Sequence, residues 1–584
     1  MNKIQQRSKL LRAVLIVLVS LTLITVPLTA LPSMKSAGEL LTDPFLQFPA
    51  SNLVQVVWFT EFAGSRHTVA YGENLQQSAI ATTTKLSRTR EDQKSRVGKQ
   101  TADAQVYKQT TMRDIWRHQA TVTGLTPNTR VPYRVSSVRE DGKTINSKQF
   151  TLAPTPAPGT PIQILLTSDH QLKPMTSANL QKAAESVGQV DAVLFAGDMV
   201  NVPDRASEWF DDNRGGALFP ALQGRAKFEL EKNGVGTIYK GGEFLQHAPM
   251  FATIGNHEVM GRFSMDSSLD DQFSDAFPRL DAQELKSTKT SVKDNSFNTD
   301  TYEEIFSLPQ SNEGGKKYYA VTFGDVRLVV LYITNVWRPW GIDPKTKGKF
   351  SEREQDLNDP INWGYGQHIF EPIAKGSTQY KWLEEELNSQ DFKESKYKIV
   401  MFHHPPHSLG ENIVPAYTDP LQVRENNADG SIKAVRYEYP KQADYIIRDV
   451  VPLLETAGVQ LVFYGHSHLW NRFISQKGMH FLETSNVGNS YGAFIGDKKR
   501  SLPSNFGSDY AVTGNPNGLE PIVPAIAPLV GEDGQPLPYV ASNDITVFSI
   551  LDTGAGTVSS YRFDTREPES QVVKFDEFRL RQHI

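Results

Sequence analysis

Five apolar runs organise this 584-residue chain, and each ends in side chains that can hold a metal ion or move a proton. Residues 162–167 lead into Ser168-Asp169-His170-Gln171, and residues 192–196 into Gly197-Asp198. Residues 250–254 lead into Gly255-Asn256-His257-Glu258, residues 397–402 into His403-His404-Pro405-Pro406, and residues 459–464 into Gly465-His466-Ser467-His468. Short apolar runs bounded by turn formers read as buried strands. Helical patterns lie between them: residues 177–187, residues 377–389 with Tyr380, Leu383 and Leu387 on one face, and residues 443–457 stopped by Gly458. Strands alternating with helices predict an α/β layer architecture, and open α/β sheets build their sites at the carboxyl ends of the strands.

A single Asp after a strand is most often a turn former or helix cap. Five such endings in series point instead to a shared site. Together they offer Asp169, Gln171, Asp198, Asn256, His403, His466 and His468. The chain has no cysteine, which excludes disulfide frameworks, zinc-thiolate sites, iron–sulfur clusters, thiol catalysis and a lipoprotein anchor. A set of oxygen and nitrogen donors this large exceeds one tetrahedral shell and suits two first-row ions. Two metals clamp the attacking and leaving oxygens of an in-line phosphoryl displacement, so phosphoester hydrolysis is the expected chemistry.

The flanking regions set the context. Lys3, Arg7, Lys9 and Arg12 precede an uncharged apolar run, residues 13–31, which reads as an export segment: a cleaved signal or an uncleaved single-helix anchor. Setting residues 1–30 aside leaves 57 basic against 66 acidic side chains, a balance of −9. An acidic body argues against a nucleic-acid scaffold role, which needs a basic footprint. Residues 42–152 carry short β-rich runs, including 53–59, and end at the Pro-rich stretch 151–158. The segment 118–135, strand then Pro127-Asn128 turn then Tyr133, resembles the corner of fibronectin type III-like sandwiches, where a buried Tyr bonds back to the turn. This domain is expected to pack against and position its neighbour.

In this order the motifs Asp-x-(His), Gly-Asp, Gly-Asn-His-Glu, His and Gly-His-x-His resemble those of the calcineurin-like metallophosphoesterases over residues 160–500. The sandwich-first arrangement, and Gly465 to Arg472, are similar to the purple acid phosphatase branch. The resemblance implies a four-layer α-β-β-α sandwich over residues 160–565 behind a small all-β domain. It implies that Asp198 bridges two ions, with Asp169 and His468 on the first and Asn256, His403 and His466 on the second. It further implies a metal-held hydroxide as nucleophile and His257 as the acid for the leaving group. Glu258 is then expected to orient the His257 imidazole, and His170, His404 and Arg472 to stand behind the ligands or face the substrate.

Two departures shape the expectation. Purple acid phosphatases carry Gly-Asp-x-x-Tyr, but Asn201 stands at the tyrosine position, so a purple Fe(III)-tyrosinate centre is not predicted. The usual Asp-x-His is Asp169-His170-Gln171; alternate residues leaving a strand point the same way, which favours Gln171 over His170 as the ligand. A weaker amide ligand favours Mn or Fe, with Zn as a further option. Arg205, Arg214 and Arg262 lie in long loops and serve either a substrate phosphate or packing. His247, His368 and His407 read as ordinary surface or loop histidines, and Glu384-Glu385-Glu386 as a solvated helix face. Strands at 545–551 and 558–563 are expected to extend the second sheet of the sandwich. The expected activity is an exported phosphomonoesterase. Its rivals are a phosphodiesterase acting on nucleotides or lipid head groups and a non-catalytic surface binding module.

Overall fold

The structure is a computed structural model that describes residues 40–98, 106–275, 277, 289–335, 340–341, 348, 350–366, 369–412, 416–495 and 518–581. The stretch read as an export segment, residues 1–31, and His368 lie outside the described residues. Among the described residues no helix is long and apolar enough to cross a membrane.

The N-terminal part is all β. One sheet orders Phe45–Ala50, Leu53–Thr60, Trp116–Thr123 and Thr82–Lys85; the other holds Thr144–Asn146, Val131–Val138, Arg66–Tyr71 and Gln77–Ile80, with Phe150–Leu152 also on Val131–Val138. Alternate residues of these strands, among them Val54, Val56, Trp58, Val122, Tyr133 and Val135, share one apolar core. The Tyr133 hydroxyl does not return to the turn as expected. It donates to the Gln246 carbonyl at 2.7 Å and so ties the β-domain to the segment ahead of the Met250–Ala252 strand. Tyr133 lies in mid-strand, where its buried hydroxyl meets that carbonyl.

Two sheets build the rest. The first orders Met250–Ala252, Ala192–Phe195, Gln163–Thr167, Ile545–Asp552, Thr557–Asp564 and Val573–Arg579. The second orders Tyr319–Phe323, Val326–Val330, Tyr397–Met401, Leu461–Tyr464, His480–Thr484, Trp470–Ile474 and Tyr539–Val540. The strands carrying the motifs are parallel within each sheet: Gln163–Thr167, Ala192–Phe195 and Met250–Ala252 in one, Tyr397–Met401 and Leu461–Tyr464 in the other. In the second sheet Leu328, Val330, Ile399, Met401, Leu461 and Phe463 turn into the main core with the first sheet, while Val329, Val400 and Val462 face Leu383, Leu387 and Leu454 on the other side. That two-residue alternation with apolar side chains on both faces marks a sheet covered by a helical layer outside and a sheet inside.

The covering helices follow from sequence. Thr176–Val187 buries Leu180 and Ala183. Thr378–Asn388 starts at Ser377, whose hydroxyl accepts the Tyr380 N–H, and buries Tyr380, Leu383 and Leu387. The helix expected at 443–457 is a π turn, Ile446–Val450, running into Val451–Thr456; Pro452, which has no N–H to give, sits at the junction.

Three expectations are corrected. The hairpin after residue 545 joins the first sheet, since Ile545–Asp552 pairs antiparallel with Gln163–Thr167. Its six central residues are buried on both faces, an environment found in a sheet interior. His407 is buried, with its ring against Phe473 and Phe481. Glu386 is not a solvated charge: both its oxygens take the Arg327 guanidinium, at 2.7 and 2.8 Å.

Candidate active site

The five strand ends meet at the carboxyl edges of the two sheets, and three glycines make the meeting possible. A Cβ on Gly465 would lie 2.2 Å from Asp169 Oδ2, one on Gly255 2.3 Å from Asp198 Oδ1, and one on Gly197 2.8 Å from His403 Nδ1. The residues after the strands turn sharply: Asp169, Gln171, Asp198, His466 and His468 all have positive φ, between 39° and 82°. That conformation costs a non-glycine residue about 1–2 kcal/mol and points to turns held in place by their surroundings.

The donor atoms form two groups that share Asp198. In one, His468 Nε2 lies 3.5 Å from Asp169 Oδ1, and Gln171 Nε2 donates to Asp198 Oδ2 at 3.0 Å. In the other, Asn256 Oδ1 lies 3.1 Å from His403 Nε2 and 3.0 Å from His466 Nδ1, and His403 Nε2 lies 3.2 Å from Asp198 Oδ2. Ligand atoms of Asp198, His403 and His466 all fall within 4.8 Å of one another. Backbone carbonyls fix two of the imidazoles: His403 Nδ1 donates to Ala196 O at 2.7 Å and His468 Nδ1 to Asn489 O at 3.1 Å, which leaves each Nε2 as the atom aimed inward.

The residues fit a metal centre on a specific observation. Gln171 Oε1 is buried and has no hydrogen-bond partner among the described residues, although its amide nitrogen is bonded to Asp198. A buried carbonyl oxygen without a donor is costly unless something else takes its lone pairs. His170 shares this property, since its Nδ1 is also buried without a hydrogen-bond partner among the described residues. Its Nε2 is 2.8 Å from the Thr167 hydroxyl, its ring meets the Phe195 edge, and burial drives its pKa down to about 3.

The electrostatics show what the cluster is built to hold. Burial pushes Asp198 upward, but His403 and then His257 outweigh it and hold the carboxyl below its ordinary range. Burial pulls His403 down, yet the Asp198 charge carries it up to about 10. The site therefore favours positive charge beside Asp198. Glu258 behaves differently: burial first, then the Asp198 charge, raises it to about 7.

His257 sits beside this cluster, its backbone N–H donated to Asp198 Oδ1 at 2.9 Å and its ring stacked on Phe273. Its Nδ1 donates to the Asn201 carbonyl at 2.6 Å. Glu258, expected to orient this imidazole, does not touch it. Its carboxylate accepts the N–H groups of Asp198, Met199 and Gly255 at 2.7–2.9 Å, so it braces the Asp198 turn. Arg472 is also corrected. It is paired with Asp576 through two bonds, 2.8 and 3.0 Å, and covered by Phe578, because its strand directs it into the interior. His404 lies behind the ligands, its Nδ1 accepting the Asn335 N–H at 3.0 Å and its ring 4.3 Å from that of His466. Arg205, Arg214 and Arg262 are paired with nearby carboxylates: Glu208 and Asp92, Asp212, and Asp275.

Three participants carried no motif. The Asn201 carbonyl is a backbone atom, invisible in side-chain patterns. Glu483 accepts the Ser467 N–H at 2.7 Å and braces the turn between His466 and His468, burial and the Asp169 charge raising it to about 8. Lys173 lies in the field of Asp198 and Asp169; burial lowers its pKa and those charges oppose it. A basic residue two positions beyond Gln171 was the only available signal for it.

Comparison with known proteins agrees with this architecture. Residues 162–469 match the calcineurin-like phosphoesterase family and residues 42–152 the purple acid phosphatase N-terminal domain. No curated protein matches the chain by sequence. Among solved structures, a purple acid phosphatase from yellow lupin (Lupinus luteus) seeds is similar at a TM-score of 0.50 and 14% identity, covering 92% of this chain and 73% of that one. A structure of PhoD is similar at a TM-score of 0.42 and 11% identity, covering 93% of each chain. Since the family match spans more than half of its length, the chain belongs to the calcineurin-like phosphoesterases, phosphoric ester hydrolases that work with divalent metal ions, and carries a purple acid phosphatase N-terminal domain ahead of the catalytic one.

Proposed function

We propose that this chain is an exported phosphomonoesterase holding two metal ions, with His257 as the acid that protonates the leaving group. The observation that carries the proposal is the pair of donor groups meeting at Asp198: Asp169, Gln171 and His468 on one side, Asn256, His403 and His466 on the other. Carboxylate, amide and imidazole donors without sulfur suit manganese or iron, with zinc as the further option. When bound, the ions supply Lewis acidity and a water acidic enough to attack phosphorus near neutral pH.

The chain's own residues do the rest. Asp198 gives both groups one negative charge to share, and its turn is kept in place by Glu258. Glu483 does the same for the His466–His468 turn. The Asn201 carbonyl keeps a proton on His257 Nδ1, so the exchangeable proton of the imidazolium is at Nε2, the atom that delivers it to the departing oxygen. Asn201 in place of a tyrosine argues against a tyrosinate-iron centre. Export rests on the basic and apolar stretch ahead of residue 32, and residues 42–152 and 160–565 are taken as the two domains. With the body at −9, an anionic substrate is drawn in by local metal charge, not by the overall field.

The test is metal analysis together with turnover of p-nitrophenyl phosphate, its bis ester, and an alkyl monoester, in wild type and His257→Ala. Two ions per chain, monoester preference and a loss of about 10²–10⁴-fold on the alkyl monoester in the variant support the proposal. Diester preference favours the phosphodiesterase reading. A protein that binds no ions favours the binding module, and unaltered turnover in the variant removes His257 from the role of acid.

A further inference from the structure

A chain of hydrogen bonds and ion pairs runs from His257 to a residue outside its own domain. His257 Nδ1 donates to the Asn201 carbonyl, and Asn201 lies in an irregular stretch following the Ala192–Phe195 strand. That stretch takes its shape from the Glu208 carboxylate, whose Oε2 accepts the N–H groups of Asn201 at 2.6 Å and Val202 at 3.1 Å. Glu208 is buried, and its Oε1 is 3.0 Å from Arg205 Nη1. The other end of the Arg205 guanidinium, Nη2, lies 3.2 Å from both oxygens of Asp92, which is 1% exposed and belongs to the N-terminal β-domain, and 3.4 Å from Asp270 Oδ2 of the catalytic domain.

The two domains are joined here at the backbone as well. Arg90 and Arg205 form a parallel bridge, Arg90 N donates to Asp204 O at 2.8 Å, and the fully buried Arg90 guanidinium pairs with the Asp204 carboxylate. Buried ion pairs contribute little net stability over well-packed apolar side chains. What a guanidinium held by carboxylates on two sides adds is direction, because its planar fork fixes the angle of each partner. An interface needed only for packing has no use for that arrangement. An interface that must hold one peptide carbonyl beneath a catalytic imidazole does.

We propose that Asp92, Arg205 and Glu208 form a positioning relay through which the N-terminal domain sets the placement of His257. This rests on the assignment of His257 as the acid. None of the three touches the substrate or the reacting atoms; each acts through the next, and the last through the Asn201 peptide. The relay therefore matters in proportion to how much the leaving group needs a proton.

The experiment compares kcat for an alkyl phosphate, whose leaving alkoxide requires protonation, with kcat for p-nitrophenyl phosphate, whose leaving phenolate requires little. Glu208→Gln and Asp92→Asn are measured beside His257→Ala. Asp576→Asn, which breaks the equally buried Arg472–Asp576 pair, serves as the structural control. The expected result is a loss on the alkyl ester about 10-fold larger than on the aryl ester in both relay variants, in the same sense as His257→Ala and with KM and bound metal at the wild-type level. Asp576→Asn changes both rates equally. The ratio of two rates in one preparation does not depend on the fraction folded, so partial misfolding does not hide the result. A leaving-group split in His257→Ala with none in Glu208→Gln and Asp92→Asn overturns the relay and leaves the acid assignment standing. No split in His257→Ala removes the acid assignment and the relay with it.

Discussion

Buried histidines occur in two regions of this molecule and behave in opposite ways. In the β-domain, His67 and His118 stack with ring centroids 3.6 Å apart, and their nitrogens meet hydroxyls of Thr60, Thr83 and Ser137 and the Ala63 carbonyl. Burial, with His67 adding to it, lowers His118 to about 2. In the active site His403 is just as buried, yet beside Asp198 it is raised to about 10. Burial disfavours the charged imidazole in both places, but in the active site Asp198, with Asp169 and the Ala196 carbonyl adding to it, turns the balance toward positive charge. Burial alone marks a packed histidine; burial beside carboxylates marks a place made for positive charge.

The strongest way to break the comparison is to remove the carboxylate. Asp198→Asn is expected to lower kcat/KM by about 10³-fold or more, since both donor groups lose the charge they share, and elemental analysis should find the bound metal depleted. Retained metal and turnover would show that the cluster does not depend on Asp198. The next test separates neighbours. Gln171→Ala should weaken metal binding by about 10–100-fold, whereas His170→Gln, removing a packed imidazole, should leave metal stoichiometry unchanged. The reverse pattern would make His170 the ligand.

A smaller effect is expected from pH. His118 has a folded pKa below its unfolded value, so the unfolded chain binds the extra proton. Its contribution is complete above about pH 6.5 and is lost progressively as the pH falls from there toward the folded value of about 2. For this one proton the loss approaches about 1.4 kcal/mol per pH unit below 6.5. His118→Gln should flatten the fall in stability between pH 7 and pH 5, measured by denaturant midpoints. An equal slope in both proteins would mean that the stacked pair does not govern acid sensitivity. Smallest of all, Tyr133→Phe leaves the buried Gln246 carbonyl without its donor and should cost about 1–2 kcal/mol, with activity unaffected.

The strand ends were readable because their chemistry is local. An apolar run, a glycine and an Asp or His within a few residues specify a strand, a close approach and a candidate donor, and the donor atoms of Asp198, His403 and His466 lie within 4.8 Å of one another. Features that depend on distant partners were not readable. Arg472 follows the His motif closely in sequence, but its role is decided by Asp576, 104 residues later. Glu258 adjoins His257, yet the 3-10 turn at Asn256–Glu258 points its carboxylate at the Asp198 backbone, and adjacency says nothing about direction. The last hairpin is apolar enough for either sheet; only its pairing with a strand almost 390 residues earlier assigns it to the first. Tyr133 was rightly expected to be buried and bonded, and its partner lay in the other domain.

The left-handed turns at Asp169, Gln171, Asp198, His466 and His468 have a consequence for how such a protein would age in evolution. Glycine would relieve each of them, so a lineage released from chemistry could gain stability by exchanging these residues one at a time. Each exchange would erase a donor. A descendant that had become a mere binding surface should therefore show glycine spreading through these five positions while its strands stayed intact. This chain has Asp, Gln or His, and not glycine, at all five positions, each in the left-handed conformation that glycine would adopt at least cost.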